Sequence, residues 1–159
     1  LSFNTITGNL ANGSGGLAGA GGGISNNREN VRIRGNIIVY NGVSGGGIDT
    51  YDVSTSLNDI ESDGYNIIHR EPSNVNLKLT DTSPVLDTSI LDLAQVLGDH
   101  GGFAPTLLLG SESVAVDAVP IAECVSPSGV TLALDQRGAP RPGVGGSACS
   151  IGAYEYQGG

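Results

Sequence analysis

Short apolar runs separated by glycine and asparagine dominate the first 70 residues of the chain. FNTITGN (residues 3–9) resembles GNIIVYNG (residues 35–42), and GYNII (residues 64–68) gives a third segment of the same kind. GGGIS (residues 21–25) also matches GGGID, which begins 24 residues later. Short β-branched runs that recur in this way predict the repeats of a solenoid, in which each repeat buries Ile, Val and Leu against its neighbours.

Asparagine and glycine lie at the expected turns of these repeats. Asn9, Asn36 and Asn41 flank apolar runs, where asparagine tolerates a left-handed backbone and hydrogen-bonds locally. Equivalent asparagines of successive repeats can also stack into a ladder, and we predict this arrangement for these three residues. The glycine-dense segment of residues 12–23 fits either a long turn loop of such a repeat or a flexible linker.

One segment of the second half has the spacing of a helix. In SILDLAQVLG (residues 89–98), apolar residues recur at i, i+3, i+4 and i+7, namely Ile90, Leu93, Ala94 and Leu97. Ser89 can act as the N-cap, and Gly98 supplies a C-terminal stop. We therefore predict a short helix over residues 89–98 that packs against the solenoid and covers its C-terminal end.

Strand-like alternation occurs on both sides of this helix. Val75, Leu77 and Leu79 alternate with polar residues, which places them on one face of a strand. Further candidate strands cover residues 106–109, 114–117, 130–134 and 151–156. Because the last repeat of a solenoid exposes unpaired N–H and C=O groups, we expect residues 81–159 to form the last coil and a cap for the coils of residues 1–80.

The composition indicates an all-β interior filled by aliphatic side chains. The chain of 159 residues has 26 glycines, two Phe, no Trp and no Met, so Val, Ile, Leu and Ala must fill the core. Its net charge is −9 with only seven Lys and Arg, and no basic cluster could follow a phosphate backbone. No apolar run is long enough to span a bilayer. We therefore expect neither nucleic-acid binding nor membrane insertion.

The two cysteines, Cys124 and Cys149, allow two interpretations. An even number in a glycine-rich chain with the composition of an exported protein favours a disulfide, and the alternative is a pair of buried free thiols. The bridge would close a loop of about 25 residues and stabilise the fold by about 3 kcal/mol in the chain-entropy model. No Cys and His residues have the spacing of a zinc site.

The C-terminal motifs resemble those of one bacterial family. LGDHGGFAPTLLLGSES (residues 97–113), DQRGAPRP (residues 135–142) and CSIGAYE (residues 149–155) follow the order seen in choice-of-anchor Q domain proteins. The resemblance implies a right-handed parallel β-helix in a bacterial protein that is secreted or held at the cell surface. Where that family often has GSPAID and Cys-Asp-Ile-Gly-Ala, this chain has GSESVAVDAV (residues 110–119) and Cys-Ser-Ile-Gly-Ala.

The position of Leu1 within a strand-like repeat leads to two expectations. We expect the chain to derive from a longer exported precursor. We also expect the open N-terminal edge of the first repeat to be covered, either by upstream coils of the same polypeptide or by another protein subunit. The reason is that an unpaired strand edge is a template for pairing.

Four charged residues concentrate in the C-terminal motifs, namely Asp135, Arg137, Arg141 and Glu155. In a functional interpretation they would clamp a substrate carboxylate or supply a general acid. In a structural interpretation Arg137 pairs with Glu155 and joins the turn to the last strand, while the neighbouring prolines stiffen that turn. We favour the structural interpretation, in which these residues stabilise the cap.

Other titratable residues offer further candidates for chemistry. His69 and His100 can titrate near neutrality, but His100 lies in a glycine-rich turn, and Asp99 beside it does not by itself make a dyad. An acidic run could bind Ca²⁺ through oxygen ligands, and its members are Asp49, Asp52, Asp59, Glu61 and Asp63. Since the run lacks EF-hand spacing, we expect no cofactor and keep Ca²⁺ as the alternative.

The sequence thus predicts an all-β fold, a short right-handed parallel β-helix with a C-terminal cap that contains one short helix and one disulfide. We expect a non-catalytic extracellular or cell-surface structural module that contributes to adhesion, a surface layer or a larger assembly. The alternative is a carbohydrate-active β-helix domain that acts like a polysaccharide lyase or hydrolase, and a surface glycan is the partner it would share with an adhesion module. Lyases of this kind need a base positioned against the substrate, and hydrolases need a pair of carboxylates.

Overall fold

The computed structural model describes residues 1–12, 22–26, 30–44, 51–55, 60–70 and 75–158. Twelve short strands lie in these ranges: β1 (Thr5–Thr7), β2 (Leu10–Asn12), β3 (Ile24–Asn26), β4 (Val31–Ile33), β5 (Ile37–Val39), β6 (Gly42–Ser44), β7 (Val53–Thr55), β8 (Ile60–Ser62), β9 (Ile67–Ile68), β10 (Val75–Asn76), β11 (Val119–Pro120) and β12 (Ala148–Cys149). Two 3-10 helices, Thr88–Leu91 and Ile121–Glu123, are the only helical turns in the same ranges. The fold is all-β, as the composition predicts.

The first ten strands pair in parallel, and their order repeats along the chain. Strands β1 to β4, which we call the first pass, pair in turn with β5 to β8, the second pass. Strand β5 pairs next with β9, and β8 pairs with β10. Only β11 and β12 pair in an antiparallel ladder. The parallel sheets therefore link successive passes of the chain.

The register confirms one predicted repeat and corrects another. In the related segments of residues 3–9, 35–42 and 64–68, Thr5 pairs with Ile37, and Ile37 pairs with Ile67. The match between GGGIS and GGGID does not give the register, because Ile24 pairs with Val53 instead. Residues 45–49, which contain GGGID, lie outside the described residues, as do residues 13–21 of the glycine-dense segment.

One apolar cluster lies where three of the parallel sheets face one another. Its fully buried members are Ile33, Ile38, Val53, Ile60 and Ile68. The cluster is less well covered on the first pass, where Ile6, Ile24 and Val31 are only half-buried. Their register partners on the second pass are completely buried. The interior is thus closed over the second pass and partly open at the first.

Strand β5 is buried on both faces. Ile38 points into the first cluster, whereas Ile37 and Val39 point to the opposite face and join a second cluster. The C-terminal half supplies most of this second cluster, with Val85, Leu91, Leu93, Leu107, Leu109, Ala115, Val119, Cys124, Cys149 and Ile151. The C-terminal half therefore packs along the side of the β1–β5–β9 sheet, whereas we predicted that it would cover the end of the solenoid.

Gly152 shows how closely the C-terminal half approaches this sheet. Its N–H donates to the carbonyl of Gly35 at 2.8 Å. A Cβ atom at position 152 would lie only 2.8 Å from side-chain atoms of Thr5 and Ile37, and the backbone there has a φ of +93°. Only glycine satisfies both the close approach and the left-handed backbone.

The predicted helix over residues 89–98 is wrong beyond its first turn. The 3-10 helix Thr88–Leu91 is capped by Asp87, whose carboxylate accepts the N–H of Ser89, and it ends at Asp92 in a left-handed conformation. Leu93 then pairs with Leu109 in an isolated antiparallel bridge. The buried residues are Leu91 and Leu93, two positions apart, so the segment follows strand spacing after the turn.

Several predicted strands are also shorter than expected or absent. Strand β10 stops at Asn76, and Leu79 is fully exposed rather than on a buried face. Among the C-terminal candidates, Thr106 and Leu109 make only isolated bridges, and residues 151–156 form no strand. Hydrogen bonds within turns and from side chains, described below, fix these residues in place of long ladders.

Candidate functional site: a buried charged network and two asparagine ladders

Asp135 and Arg137 form the first half of a buried charged network. Oδ1 of Asp135 accepts the backbone N–H groups of Arg137 at 2.8 Å and Ala139 at 3.0 Å. Its Oδ2 accepts Nη2 of Arg137 at 2.7 Å and the backbone N–H of Glu155 at 2.9 Å. Both carboxylate oxygens are therefore occupied, and the side chain ties this turn to the C-terminal residues.

Arg141 and Glu155 form the second half, and both side chains are almost completely buried. Nη1 of Arg141 donates to Oε2 of Glu155 at 2.9 Å and to the carbonyl of Ser150 at 2.7 Å. Nη2 of Arg141 donates to the carbonyl of Gly152 at 2.5 Å. The carboxylate also accepts the N–H groups of Ser150 at 2.9 Å and Gly143 at 3.1 Å. Such extra hydrogen bonds are what a buried ion pair needs to offset its desolvation.

The four predicted residues come together, but the predicted pair of Arg137 with the side chain of Glu155 is wrong. Arg137 pairs with Asp135 and contacts Glu155 only through its backbone carbonyl, to which Nη2 donates at 2.7 Å. The carboxylate of Glu155 pairs with Arg141. The exchange has a local cause, since Asp135 and Arg137 belong to the same tight turn and their side chains meet within it.

Burial and hydrogen bonding shift the pKa values of this network in opposite directions. Burial raises the pKa of Glu155, against the attraction of Arg141 and the N–H of Ser150. Burial acts in the same way on Asp135, but hydrogen bonds from the Glu155 backbone and from Arg137 outweigh it, so the pKa of Asp135 is lowered. Burial also lowers the pKa of Arg141, against the attraction of Glu155.

Aromatic rings connect the network to the first pass. The guanidinium of Arg137 lies 3.6 Å from the ring centre of Tyr154, and that of Arg141 lies 4.9 Å from the ring centre of Phe3. His100 meets Tyr154 edge-on, with 6.0 Å between ring centres. Because Phe3 precedes β1, its cation–π contact with Arg141 stabilises the packing of the C-terminal motifs against the start of the chain. The contact of Arg137 with Tyr154 lies within the C-terminal motifs.

A groove of about 530 Å³ lies between the start of the first pass and the network. Asp135 and Arg141 border it, together with Phe3, Thr5 and Leu132. The charged atoms of both residues are already hydrogen-bonded within the protein. A general acid or a carboxylate clamp needs a donor or acceptor that is free to reach a ligand. The charged atoms of Asp135 and Arg141 are therefore engaged with groups of the protein itself.

Neither histidine has the geometry of a base held by a carboxylate. Nδ1 of His69 lies 3.8 Å from Oδ2 of Asp52, beyond hydrogen-bonding distance. Nδ1 of His100 lies 3.0 Å from the hydroxyl of Thr106, and the neighbouring Asp99 accepts an N–H within its own turn. The adjacent Asp99 and His100 therefore do not form a dyad.

The three members of the acidic run that the structure describes do not converge on one position. Two of its members lie outside the described residues, namely Asp49 and Asp59. Asp52 is fully buried, Glu61 is exposed on β8, and Asp63 pairs with Arg32. Among the residues that the structure describes, no group of three or more His, Cys, Asp or Glu could hold a metal ion.

A ladder of side chains runs beside the β1–β5–β9 sheet, and its members are Asn4, Asn36, Asn66 and Asp81. The backbone N–H and Nδ2 of Asn4 both donate to Oδ1 of Asn36, at 3.0 and 3.1 Å. Asn36 donates to Asn66 in the same way, at 3.1 and 2.9 Å. Asn66 donates to Oδ1 of Asp81 at 2.7 and 2.9 Å, and Oδ2 of Asp81 accepts the N–H of Lys78.

A second ladder repeats this chemistry one turn further along each pass. The backbone N–H and Nδ2 of Asn9 donate to Oδ1 of Asn41 at 3.1 and 3.0 Å. Asn41 donates to Oδ1 of Asp52 at 2.9 and 3.0 Å, and Oδ2 of Asp52 accepts the N–H of Arg70 at 3.0 Å. Both ladders therefore donate from earlier to later residues of the chain, and both end in an aspartate. The last step of the second ladder stays within the second pass, because Asp52 directly precedes β7.

The ladders confirm the stacking predicted for Asn9, Asn36 and Asn41, which divide between the two. The asparagine pattern does not include the terminal residues Asp52 and Asp81. The signal that could have found them is an aspartate that follows each series of equivalent asparagines, at a spacing much shorter than a full pass.

Cys124 and Cys149 form a disulfide, with 6.2 Å between their Cα atoms. Cys149 lies in β12 and pairs with Val119 of β11, and Cys124 follows the second 3-10 helix. Both cysteines are buried in the second cluster. The bridge therefore joins two parts of the C-terminal half, where only two-residue strands connect them.

Comparison of the chain with protein families, with curated proteins and with solved structures found no match. The resemblance to choice-of-anchor Q proteins therefore stays a prediction. Within the described ranges no helix is long and apolar enough to cross a bilayer.

Proposed function

We propose that this chain is a non-catalytic structural module, built as a short parallel β-helix, of an extracellular or cell-surface protein. Parallel pairing of successive passes in a fixed order supports the β-helix, and the resemblance of the C-terminal motifs implies its right-handed form. The disulfide between Cys124 and Cys149 is compatible with an oxidising compartment outside the cytoplasm.

The observation that supports this proposal is that the charged atoms of the buried network are hydrogen-bonded within the protein. Asp135, Arg141 and Glu155 use their charged atoms to hold backbone groups of the C-terminal turns. Within each ladder, from Asn4 to Asp81 and from Asn9 to Asp52, the side-chain amides likewise hydrogen-bond to the next member. Groups committed in this way stabilise a shape. We infer a role in adhesion, a surface layer or a larger assembly.

A polysaccharide panel tests the proposal against the carbohydrate-active alternative. We expect no release of reducing ends and no new ultraviolet absorption from unsaturated sugars, with or without added Ca²⁺. The control is the Glu155→Gln variant, which removes the carboxylate of the network. Release of sugar ends by the native chain, and its loss in a folded Glu155→Gln protein, would overturn the structural role.

A further inference from the structure

We propose that the outer edge of the first pass binds one further extended polypeptide segment. This segment runs parallel to β1 and β2 and carries asparagines opposite Asn4 and Asn9. The inference rests on the proposed structural role and gives the chemistry of the partner in the assembly. Three features of the edge define the segment, namely its open strands, the direction of its ladders and the closure of the opposite end.

The strands of the first pass are paired on one side only. Within the described residues, β1 to β4 have neighbours only in β5 to β8. The apolar interior is open at the same edge, since Ile6 is half-buried while its partner Ile38 is completely buried. An edge with unpaired backbone groups and a partly exposed apolar core is suited to the addition of a strand.

The ladders indicate that the added strand must supply N–H donors. Oδ1 of Asn36 and Oδ1 of Asn41 each accept two N–H groups from the preceding pass. No described residue donates to Oδ1 of Asn4 or of Asn9. Each of these two oxygens is the acceptor end of a ladder, so the fitting segment donates a backbone N–H and a side-chain N–H to each.

The opposite end of each ladder excludes a second copy of this chain as the partner. Asp52 and Asp81 end the ladders with carboxylates, which accept hydrogen bonds but do not donate them when ionised. In a head-to-tail copy the half-buried Asp81 could offer only an acceptor, and the completely buried Asp52 could not reach Asn9. A head-to-head copy would also place acceptor against acceptor. The required segment must end in donors, which neither arrangement supplies.

The chain itself gives the pattern of such a segment. Asn4 and Asn9 are separated by four residues, as are Asn36 and Asn41, and in both cases an isoleucine, Ile6 or Ile38, points into the apolar interior. A segment that follows the pattern Asn-x-Ile-x-x-Asn would place both donors and the apolar side chain in register with the first pass.

A synthetic peptide with the sequence VRIRGNIIVYNG (residues 31–42) serves as the probe, because it carries this pattern. The isotope-labelled 159-residue chain is titrated with the peptide, and amide signals are followed by NMR. A control peptide has leucine in place of both asparagines, which keeps the charge and the approximate size but removes the side-chain donors. We expect shifts of the side-chain amides of Asn4 and Asn9 and of the β1 and β2 backbone. The leucine peptide should bind about tenfold more weakly.

Three results would overturn the inference: no binding of the probe, equal binding of both peptides, or shifts confined to other surfaces. Sedimentation of the chain alone completes the test, and we expect a monomer. A dimer with shifts at Asn4 and Asn9 would identify a second copy as the occupant and contradict the argument from ladder direction. These readouts do not depend on catalysis, so sugar release in the polysaccharide assay would count against the proposed function alone.

Discussion

At the scale of single residues, the difference between an amide and a carboxylate organises this molecule. Asparagine both donates and accepts, so it can occupy any position within a ladder, whereas ionised aspartate only accepts and therefore ends one. Asn36 and Asn66 follow the first role, and Asp52 and Asp81 follow the second. The same distinction explains Asp135, whose two acceptor oxygens gather N–H groups from its own turn and from Glu155.

The pH dependence of stability should report on Asp135. Its pKa is lowered in the folded protein, so its ionised form stabilises the fold above the usual carboxyl range, and this contribution is lost as the pH falls through the folded value. We expect Asp135→Asn to cost about 3 kcal/mol at neutral pH. The variant should also lose less stability than the native chain below about pH 4.

Urea unfolding at several pH values checks this prediction, with Asp99→Asn as the control in an exposed turn. Glu155 changes stability with pH in the opposite direction, but it is present in both proteins, so its contribution cancels when their profiles are compared. Its pKa is raised, so its contribution is present at low pH and declines as the pH rises through the folded value. Parallel stability profiles for the native chain and Asp135→Asn would contradict the assignment.

At the scale of elements, the sequence predicts strands better where both faces of a strand are buried. The run of residues 37–39 is apolar throughout, and each of its side chains enters one of two clusters. The helix of residues 89–98 failed because a 3-10 turn followed by strand alternation produces apolar spacings that also fit a helix. Ile90 and Leu97, which belong to the helical pattern, are exposed. The conformation of that segment is set by the pairing of Leu93 with Leu109, and a local sequence pattern carries no information about such a long-range contact.

The two passes should differ in what an interior side chain contributes. Ile38 and Ile6 are register partners that face the same cluster, but only Ile38 is completely buried. We expect Ile38→Ala to lower the free energy of unfolding by about 4 kcal/mol and Ile6→Ala by less than about 2 kcal/mol, because a half-buried site loses less contact and leaves no closed cavity. Midpoints of urea unfolding measure both, and equal losses would show that the first pass is covered.

At the scale of the whole molecule, the two apolar clusters share one sheet. Strands β5 and β9 contribute side chains to the first cluster on one face and to the second cluster on the other, and β1 adds Ile6 to the first cluster. Displacement of this sheet would therefore expose both clusters to solvent. The side-on packing of the C-terminal residues could not be predicted from the sequence, since it depends on long-range contacts such as that of Gly152 with Gly35.

Removal of the disulfide should lower stability without dividing the unfolding transition. We expect the double variant Cys124→Ala and Cys149→Ala to lose about 3 kcal/mol, because the unfolded chain regains the freedom of a loop of about 25 residues. For a chain of this size the melting temperature should fall by about 10 °C. Calorimetry measures the shift, and chemical reduction of the native chain should reproduce it. An unchanged melting temperature, or two separate transitions, would contradict this view.

The direction of the two ladders has a consequence that polymer chemistry describes well. Each ladder has a living end, at Asn4 or Asn9, and a terminated end, at Asp81 or Asp52. Each ladder stops where a carboxylate takes the place of the side-chain amide, because the carboxylate has no N–H to donate to a further member. If a further segment adds as inferred above, it extends the stack from the side of Asn4 and Asn9.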